Sequence, residues 1–198
     1  MKMIIIGGFL GSGKTTVIRH LARHLVNTKG EKVVIIENEA GEIGIDDKLL
    51  SVDGFQVKEI FAGCVCCQLT AELTLTVNKL RDEFNPQWII LEASGVAKPS
   101  TIQDTLKKYG KGIDLMHTLV LVDSGRWHQL YDIISGLLES QVTSAEWVML
   151  NKIDETDPQQ LASIEQQVKQ INPKAKLYKA IASEELDSAF TKEFEDLA

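Results

Sequence analysis

The sequence Gly-Phe-Leu-Gly-Ser-Gly-Lys-Thr at residues 8–15 decides the fold, because it lies between an apolar run and a helix-forming stretch. Met3–Ile6 predicts a buried parallel strand, and apolar residues then recur at helical spacing: Val17, Ile18, Leu21 and Leu25. Glycines in the loop let backbone N–H groups turn inward around an anion that a side chain would keep away. Strand, glycine-rich loop and helix in this order predict a phosphate-binding loop, and so a nucleotide site.

Two side chains of this loop have specific chemistry. Lys14 is placed to reach the β- and γ-phosphates, and Thr15 to put its hydroxyl on Mg²⁺. The alternative is a glycine-rich turn that matches the pattern by chance, and the flanking strand and helix argue against it. The nucleotide-binding residues predicted from the loop are Gly8, Gly11, Ser12, Gly13, Lys14, Thr15 and Thr16.

Composition limits the class of protein. The 198 residues, 44% of them hydrophobic, suit one α/β domain over 1–198. A net charge of -7, from 28 acidic and 21 basic residues, argues against a nucleic-acid or anionic-membrane partner. No apolar run reaches the length of a membrane span. The 3 cysteines cluster within four positions, which favours thiol chemistry or metal binding over disulfides, and we expect a cytoplasmic protein.

The rest of the chain alternates apolar runs with helical patterns. Strands are predicted at Val33–Ile36, Phe55–Ile60, Trp88–Leu91, Thr118–Asp123, Trp147–Leu150 and Lys176–Tyr178. Helices are predicted at about 68–84, 100–109 and 159–170 and after Ser183, with a functional loop at 37–47. This pattern predicts an α/β fold, a three-layer αβα P-loop NTPase with a mostly parallel central sheet. Ligands of such sheets bind at the carboxyl ends of the strands.

The stretch Asn151-Lys152-Ile153-Asp154 follows a predicted strand and matches the N-K-x-D element of GTP-binding proteins. The Asp154 carboxylate can accept hydrogen bonds from the ring N–H and the exocyclic amine of guanine, a donor pair that adenine lacks. This favours GTP over ATP. The alternative is an Asp154 that only caps a helix after a turn.

Acidic residues end two further strands. Glu92 occupies the position where these folds place a carboxylate near Mg²⁺ and the γ-phosphate, and Gly95 can offer its N–H to that phosphate. Asp123 is a weaker candidate, because nothing polar around it completes a motif. An ordinary carboxylate at a strand end is the alternative for Glu92.

The cluster Cys64-Val65-Cys66-Cys67 predicts a metal site. Thiolates this close repel one another unless a cation lies among them, and soft sulfur selects Zn²⁺, Cu⁺ or a similar metal. Buried structural cysteines are the alternative. Oxygen ligands could come from Glu37, Glu39 or Glu42, or these could form a solvated acidic loop, whereas His20 and His24 are expected to be surface residues.

Taken together, the chain resembles the CobW/HypB/UreG family of metal-associated P-loop GTPases, and most of all its CobW-type branch. The matching motifs run in order over about residues 3 to 154: the loop at 8–16, the acidic stretch at 38–46, the cysteines, Glu92-x-Ser94-Gly95 and Asn151-Lys152-x-Asp154. Ala40 and Lys98 depart from the usual pattern. Such proteins also often continue into a C-terminal domain and a His-rich segment, while this sequence has 4 His.

The resemblance implies slow GTP hydrolysis coupled to delivery of a transition metal, Zn²⁺ or Co²⁺, to a client metalloprotein or cofactor-assembly protein. It implies that Cys64, Cys66 and Cys67 hold this metal with Glu37, and that Glu42 and Glu92 serve Mg²⁺ and the attacking water, with Lys14 as the third catalytic residue. Single-domain relatives suggest a homodimer. The main alternative is a nucleotide-dependent switch with structural or redox cysteines, and a kinase is a third.

Overall fold

A computed structural model describes residues 1–39, 50–52, 55–61 and 66–197, with side chains described outside 38–71. Its strands are β1 Lys2–Gly8, β2 Val33–Glu39, β3 Leu50–Val52, β4 Phe55–Phe61, β5 Trp88–Glu92, β6 Leu115–Asp123, β7 Trp147–Asn151 and β8 Lys176–Ala180. Its helices are α1 Lys14–Lys29, α2 Cys66–Phe84, α3 Pro99–Tyr109, α4 Trp127–Thr143, α5 Pro158–Ile171 and α6 Ser188–Leu197. A short 3₁₀ turn covers Ile153–Glu155.

The described strands form one twisted sheet in the order β3-β4-β2-β5-β1-β6-β7-β8. Every neighbouring pair is parallel except β3 with β4. Strand β1 lies in the middle, where Ile6 is level with Glu92 of β5 on one side and Leu119 of β6 on the other. The predicted α/β class and mostly parallel sheet are therefore confirmed.

The sheet is buried on both faces, which explains why its central strands are continuously apolar. One face packs on α1 and α6, with Phe190 and Phe194 fully buried there. The other face divides into a cluster under α2 and α3 and a second cluster under α4 and α5. The loops at the carboxyl ends of β1, β5, β6 and β7 are thus carried on a rigid support.

Some elements differ from the sequence-based expectation. Strand β2 runs on to Glu39, so Glu37 belongs to the strand and not to the predicted loop. Helix α2 begins at Cys66, two residues before the predicted start, so Cys66 and Cys67 lie in its first turn.

Helix α4 and strand β3 were not predicted. Strand β3 has only 3 residues. Helix α4 has non-helical dihedral angles at Ile134 (φ −132°, ψ 35°), and this kink interrupts the apolar period that marks a helix in sequence. In the part of the chain that the structure describes, no helix is long and apolar enough to cross a membrane.

Candidate functional site

The loop between β1 and α1 has the geometry of an anion cradle. Gly8 and Gly13 have φ of 134° and 98°, values that side chains rarely adopt. A Cβ on Gly8 would lie 2.4 Å from the Leu121 carbonyl oxygen, and one on Gly13 would lie 2.3 Å from Asn151 Nδ2. Glycine is therefore required at both positions by conformation and by space, and the backbone is left bare where a phosphate would approach.

Lys14 begins α1 and is turned back over this loop. Its Nζ donates to the Gly8 carbonyl at 3.1 Å and to the Phe9 carbonyl at 3.4 Å, and lies 3.9 Å from Glu92 Oε1. The side chain is only 6% exposed. The Lys14 ammonium group is bound here to neutral carbonyl oxygens. When a phosphate enters the loop, the ammonium group can bind the charged phosphate oxygens instead.

Thr15 and Glu92 come together from elements far apart in sequence. The Thr15 hydroxyl donates to the two carboxylate oxygens of Glu92 at 3.2 Å and 3.1 Å. Glu37 of β2 is level with Glu92 in the parallel pairing, so these two acids occupy neighbouring positions at the carboxyl edge of the sheet. This gives one hydroxyl and two carboxylates, hard oxygen donors of the kind that Mg²⁺ prefers, beside the loop.

Asn151 ties the guanine-type motif to the phosphate loop. Its Nδ2 donates to the Ser12 carbonyl at 2.8 Å, and its Oδ1 accepts from the Ala182 N–H at 2.8 Å. The residue is 2% exposed. His20 Nε2 lies 3.0 Å from the Ala182 carbonyl oxygen, so the segment after β8 is held from both sides. Loop, motif and segment form one hydrogen-bonded unit.

The other two residues of the motif point to different partners. Lys152 has a left-handed backbone, φ 58°, and its Nζ donates to Asp123 Oδ2 at 2.8 Å. Asp154 lies in the 3₁₀ turn and is exposed. It makes no hydrogen bond or ion pair with the residues that the structure describes, which leaves its carboxylate accessible to a ligand.

Asp123 has polar partners that the sequence did not reveal. Its side chain is 1% exposed and is neutralised by Lys152 and by Arg126, whose Nε and Nη2 both lie 2.8 Å from Oδ2. Arg126 Nη2 also donates to the Leu10 carbonyl of the phosphate loop at 2.7 Å. The carboxylate is thus fully used by two cations, which argues against a second Mg²⁺ ligand at this position.

The segment after β5 is held against the loop and against α4. A Cβ on Gly95 would lie 2.8 Å from the Leu10 backbone nitrogen. Gln141 of α4, 1% exposed, donates to the Gly95 carbonyl at 3.1 Å and to the Ala97 carbonyl at 3.0 Å. Gly95 therefore lies beside the phosphate loop.

A comparison with models of known protein families shows the family of this chain. The family model described as CobW/HypB/UreG, nucleotide-binding domain, matches residues 2–179. The chain belongs to this family.

Curated relatives carry names that refer to zinc. Zinc chaperone YeiR of Escherichia coli is 36% identical over 157 residues, which are 78% of this chain and 47% of YeiR. Zinc-regulated GTPase metalloprotein activator 1 of Dictyostelium discoideum is 29% identical, over 92% of this chain and 46% of that protein. The chain thus spans about half the length of these CobW/HypB/UreG relatives.

Solved structures of the family share the fold. Zn(II)-bound YjiA GTPase from E. coli is 25% identical with a TM-score of 0.66, covering 96% of this chain and 60% of YjiA. HypB from Helicobacter pylori in complex with nickel is 17% identical with a TM-score of 0.63, over 100% of this chain and 85% of HypB. The second likeness concerns the fold alone.

The predicted transition-metal site is in a part of the chain that is described less fully. Glu42 and Cys64 lie outside the described residues, as do the side chains of Glu39, Cys66 and Cys67. The backbone places the first turn of α2 after β4, whose carboxyl end lies at the same sheet edge as the phosphate loop. Among the side chains that are described, no group of three His, Cys, Asp or Glu residues could hold a metal.

His20 and His24, expected to be surface residues, are half-buried and have separate partners. His24 Nε2 lies 3.0 Å from Glu195 Oε1, whereas His20 contacts Ala182. Sequence reasoning also missed Arg126 and Gln141. The only signal for Arg126 is a cation three residues after a carboxylate at a strand end, which is too common a pattern to be informative.

Proposed function

We propose that this protein is a cytoplasmic GTP-binding, slowly GTP-hydrolysing metallochaperone. It would bind Zn²⁺ or Co²⁺ through Cys64, Cys66 and Cys67 and deliver the metal to a client metalloprotein or a cofactor-assembly protein. The observation that carries the proposal is the pair of Asn151 hydrogen bonds, which join a guanine-type motif to the phosphate loop and to the segment after β8. Family membership and the names of the relatives supply the metal part.

The GTP site would use residues from three strand ends. Lys14 and the backbone N–H groups of 8–16 would bind the phosphates, and Gly95 would add its N–H. Asp154 would accept the two N–H donors of guanine, which its exposure permits. Asn151 and Lys152 would fix that turn relative to the loop.

A Mg²⁺ ion fits the oxygen donors that the structure brings together. Thr15 Oγ1 and Glu92 stand within 3.2 Å of each other, and Glu37 is level with Glu92 on the neighbouring strand. Thr15 and Glu92 would hold the ion, with Glu42 from the acidic stretch. When bound, Mg²⁺ would supply neutralisation of phosphate charge.

Hydrolysis would depend on positioning and charge and would need no covalent intermediate. Lys14 would stabilise negative charge on the terminal phosphate oxygens, and Glu92, with Glu42, would orient the attacking water. We expect slow turnover, because these residues supply few positive groups for the transition state.

The metal site is proposed from the chemistry of its ligands. Three thiolates are soft donors that would select Zn²⁺ or Co²⁺ over Mg²⁺, and the Glu37 carboxylate would complete the ligand set. The amino end of α2 begins at Cys66, where the helix dipole favours thiolate. Because the carboxyl edge of the sheet carries both this turn and the phosphate loop, GTP would bring the acidic stretch that follows β2 against the cysteines, and hydrolysis would release it.

This coupling is tested by metal affinity. Zn²⁺ and Co²⁺ binding is titrated in the presence of a non-hydrolysable GTP analogue and of GDP, with a Cys64/Cys66/Cys67→Ser variant as control. We expect tighter binding with the analogue, and by linkage the metal must then tighten analogue binding by the same factor. Equal affinities in the two nucleotide states would contradict the coupling, and unchanged affinity in the cysteine variant would contradict the ligand assignment.

A nucleotide switch with structural cysteines makes a different prediction. The cysteine variant would then keep nucleotide-dependent binding to its partner, whereas a carrier would lose its cargo. Metal content of wild-type protein purified anaerobically with the GTP analogue measures that cargo directly. Protein purified in this way without bound transition metal would favour the switch.

The role of Glu92 is tested by a conservative change. Glu92→Gln keeps the shape and the hydrogen bond from Thr15 but removes the charge, so GTP hydrolysis should fall on the order of 100-fold. Steady-state phosphate release at saturating Mg²⁺ measures the effect. Glu83→Gln on α2 is the control and should hydrolyse GTP at the wild-type rate, and an active Glu92→Gln would contradict the assignment.

A further inference from the structure

A network of three charged residues connects the two halves of the nucleotide site. Asp123 Oδ2 accepts from Lys152 Nζ on one side and from Arg126 Nε on the other, both at 2.8 Å, and Arg126 Nη2 lies 2.8 Å from the same oxygen. Arg126 then reaches the Leu10 carbonyl. Lys152 belongs to the guanine-type motif and Leu10 to the tip of the phosphate loop, so the chain of contacts runs from one to the other through a single carboxylate.

Burial makes this carboxylate a strong link. The Asp123 side chain is 1% exposed, while Lys152 and Arg126 are 29% and 41% exposed. A buried carboxylate is costly unless cations and hydrogen bonds satisfy it, so both cations are held in place by the penalty of leaving it unpaired. Strand pairing adds rigidity, because Asp123 is level with Asn151 in the pairing of β6 with β7.

Arg126 fixes the orientation of one peptide group in the phosphate loop. A trans peptide is planar and directs its C=O and N–H to opposite sides. With the Leu10 carbonyl bound to Arg126, the Gly11 N–H must point away from the guanidinium. Glycine at position 11, with φ 76°, lets the guanidinium come this close to the loop, because a Cβ there would lie 2.9 Å from Arg126 Nη2.

We propose that Asp123, Arg126 and Lys152 form a relay through which the base-binding motif orients the tip of the phosphate loop. In this relay Arg126 is a positioning residue: it holds the Leu10–Gly11 peptide so that its N–H is available to a phosphate oxygen. This inference rests on the proposed function, since it assumes that the loop binds the phosphates of a guanine nucleotide. It assigns to Arg126 a role that no motif of the sequence indicates.

The first test measures GDP affinity by calorimetry. Arg126→Gln removes the charge-assisted bond to Leu10 and should weaken GDP binding about tenfold. Arg81→Gln is the matched control, because Arg81 also pairs with an aspartate, Asp82, but on α2 away from the loop. The control should bind GDP as tightly as wild type.

The second test is a double-mutant cycle. Lys152→Met and Arg126→Gln act through the same carboxylate, so the double variant should lose clearly less affinity than the product of the two single losses. Losses that multiply fully would overturn the relay, even if each residue matters separately.

The third test separates positioning from general destabilisation. In nucleotide-free ¹⁵N-labelled protein, Arg126→Lys should shift the amide signal of Gly11 while the signals of α5 stay in place, and GDP should be bound less tightly. An unmoved Gly11 signal would overturn the proposal, and this milder variant answers the question if Arg126→Gln does not fold.

The two levels of inference fail in different ways. Wild-type protein that binds neither GDP nor GTP would overturn the proposed function and the relay with it. Wild-type protein that binds GDP, together with an Arg126→Gln variant that binds it equally well, would overturn the relay alone.

Discussion

Polar side chains lie at both ends of the sheet, but at one end they bind the phosphate loop and at the other they bind a helix. At the carboxyl end, Lys14, Arg126 and Asn151 bond to backbone carbonyls of the phosphate loop. At the amino end, Lys176 and Tyr178 bond to Glu193 and so attach α6 to the sheet. The difference indicates that polar groups at the carboxyl end prepare a loop for a ligand, whereas those at the amino end hold the fold together.

This comparison predicts that changes near the amino end affect stability and leave binding alone. Phe190 is fully buried on α6 and packs edge-on to Trp147 and Tyr178, with ring centroids 5.5 Å and 5.0 Å away. Phe190→Ala should lower the free energy of unfolding by about 3–5 kcal/mol. Urea denaturation measures this loss. Ile133→Ala, at a side chain that is 79% exposed, should change stability by less than about 0.5 kcal/mol.

GTP affinity of the folded Phe190→Ala protein, measured well below its denaturation midpoint, should stay within about twofold of wild type, since no contact of the loop is touched. A large loss of GTP affinity in this variant would contradict the claim that the amino end of the sheet affects stability and not binding.

At the carboxyl end the opposite outcome is expected. Lys14→Met keeps the apolar stem but removes the ammonium group, so GTP binding should weaken on the order of 100-fold. The free energy of unfolding should change by less than about 1 kcal/mol, because the apolar stem stays packed and the lost contacts, to the Gly8 and Phe9 carbonyls and to Glu92, belong to the loop and not to the core. Calorimetry and urea denaturation measure the two quantities, with Lys79→Met on the exposed face of α2 as control. Undiminished GTP binding would rule out the phosphate-binding role.

Two buried asparagines offer a matched pair, one at each end. Asn172 donates to the Val142 and Ala145 carbonyls, much as Asn151 bridges Ser12 and Ala182. Changing either to alanine leaves buried backbone groups unpaired and should cost about 2–3 kcal/mol of unfolding free energy. Only Asn151→Ala should also weaken GTP binding, by about tenfold, because only its partners belong to the nucleotide site. Equal GTP affinities of Asn151→Ala and Asn172→Ala would show that the two ends of the sheet do not differ in this respect.

The smallest effect concerns pH. Burial lowers the pKa of His117, with Lys176 acting in the same direction and Glu146 and Glu193 opposing it. Because the folded pKa lies below the unfolded value of about 6.5, the neutral ring contributes stability above that pH, and the contribution is lost as pH falls toward the folded pKa. His117→Gln should therefore lose less stability than wild type between about pH 7 and pH 5. Urea denaturation midpoints of both proteins across this pH range measure the effect. If the midpoints of wild type and His117→Gln change with pH by the same amount, the assignment to His117 is wrong.

Much of the fold can be predicted from the sequence for a simple reason. Strands β1, β5, β6 and β7 each contain an unbroken run of four apolar residues that is buried on both faces, and a polar residue or a glycine marks the point where this run ends. The loop at 8–15 carries its own conformational signature in its glycines. Apolar runs and glycine positions are local properties of the chain, so they can be read directly from the sequence.

The remaining features depend on contacts between distant residues. Arg126 acquires its role from Leu10, 116 positions away, and Lys152 reaches Asp123 only because β6 and β7 pair in one register. Gln141 serves the segment at 95–97 from a helix whose pattern is interrupted at Ile134. No spacing rule along the chain encodes such contacts.

The central position of β1 has a consequence for synthesis on the ribosome. The strand that carries the phosphate loop is made before β5 and β6, the two strands with which it pairs, and its loop is completed by Asn151 and Ala182. A nascent chain therefore exposes an apolar strand and a glycine-rich loop while more than a hundred residues are still to be added. Bound nucleotide can therefore stabilise the domain only after the chain has left the exit tunnel as far as Ala182.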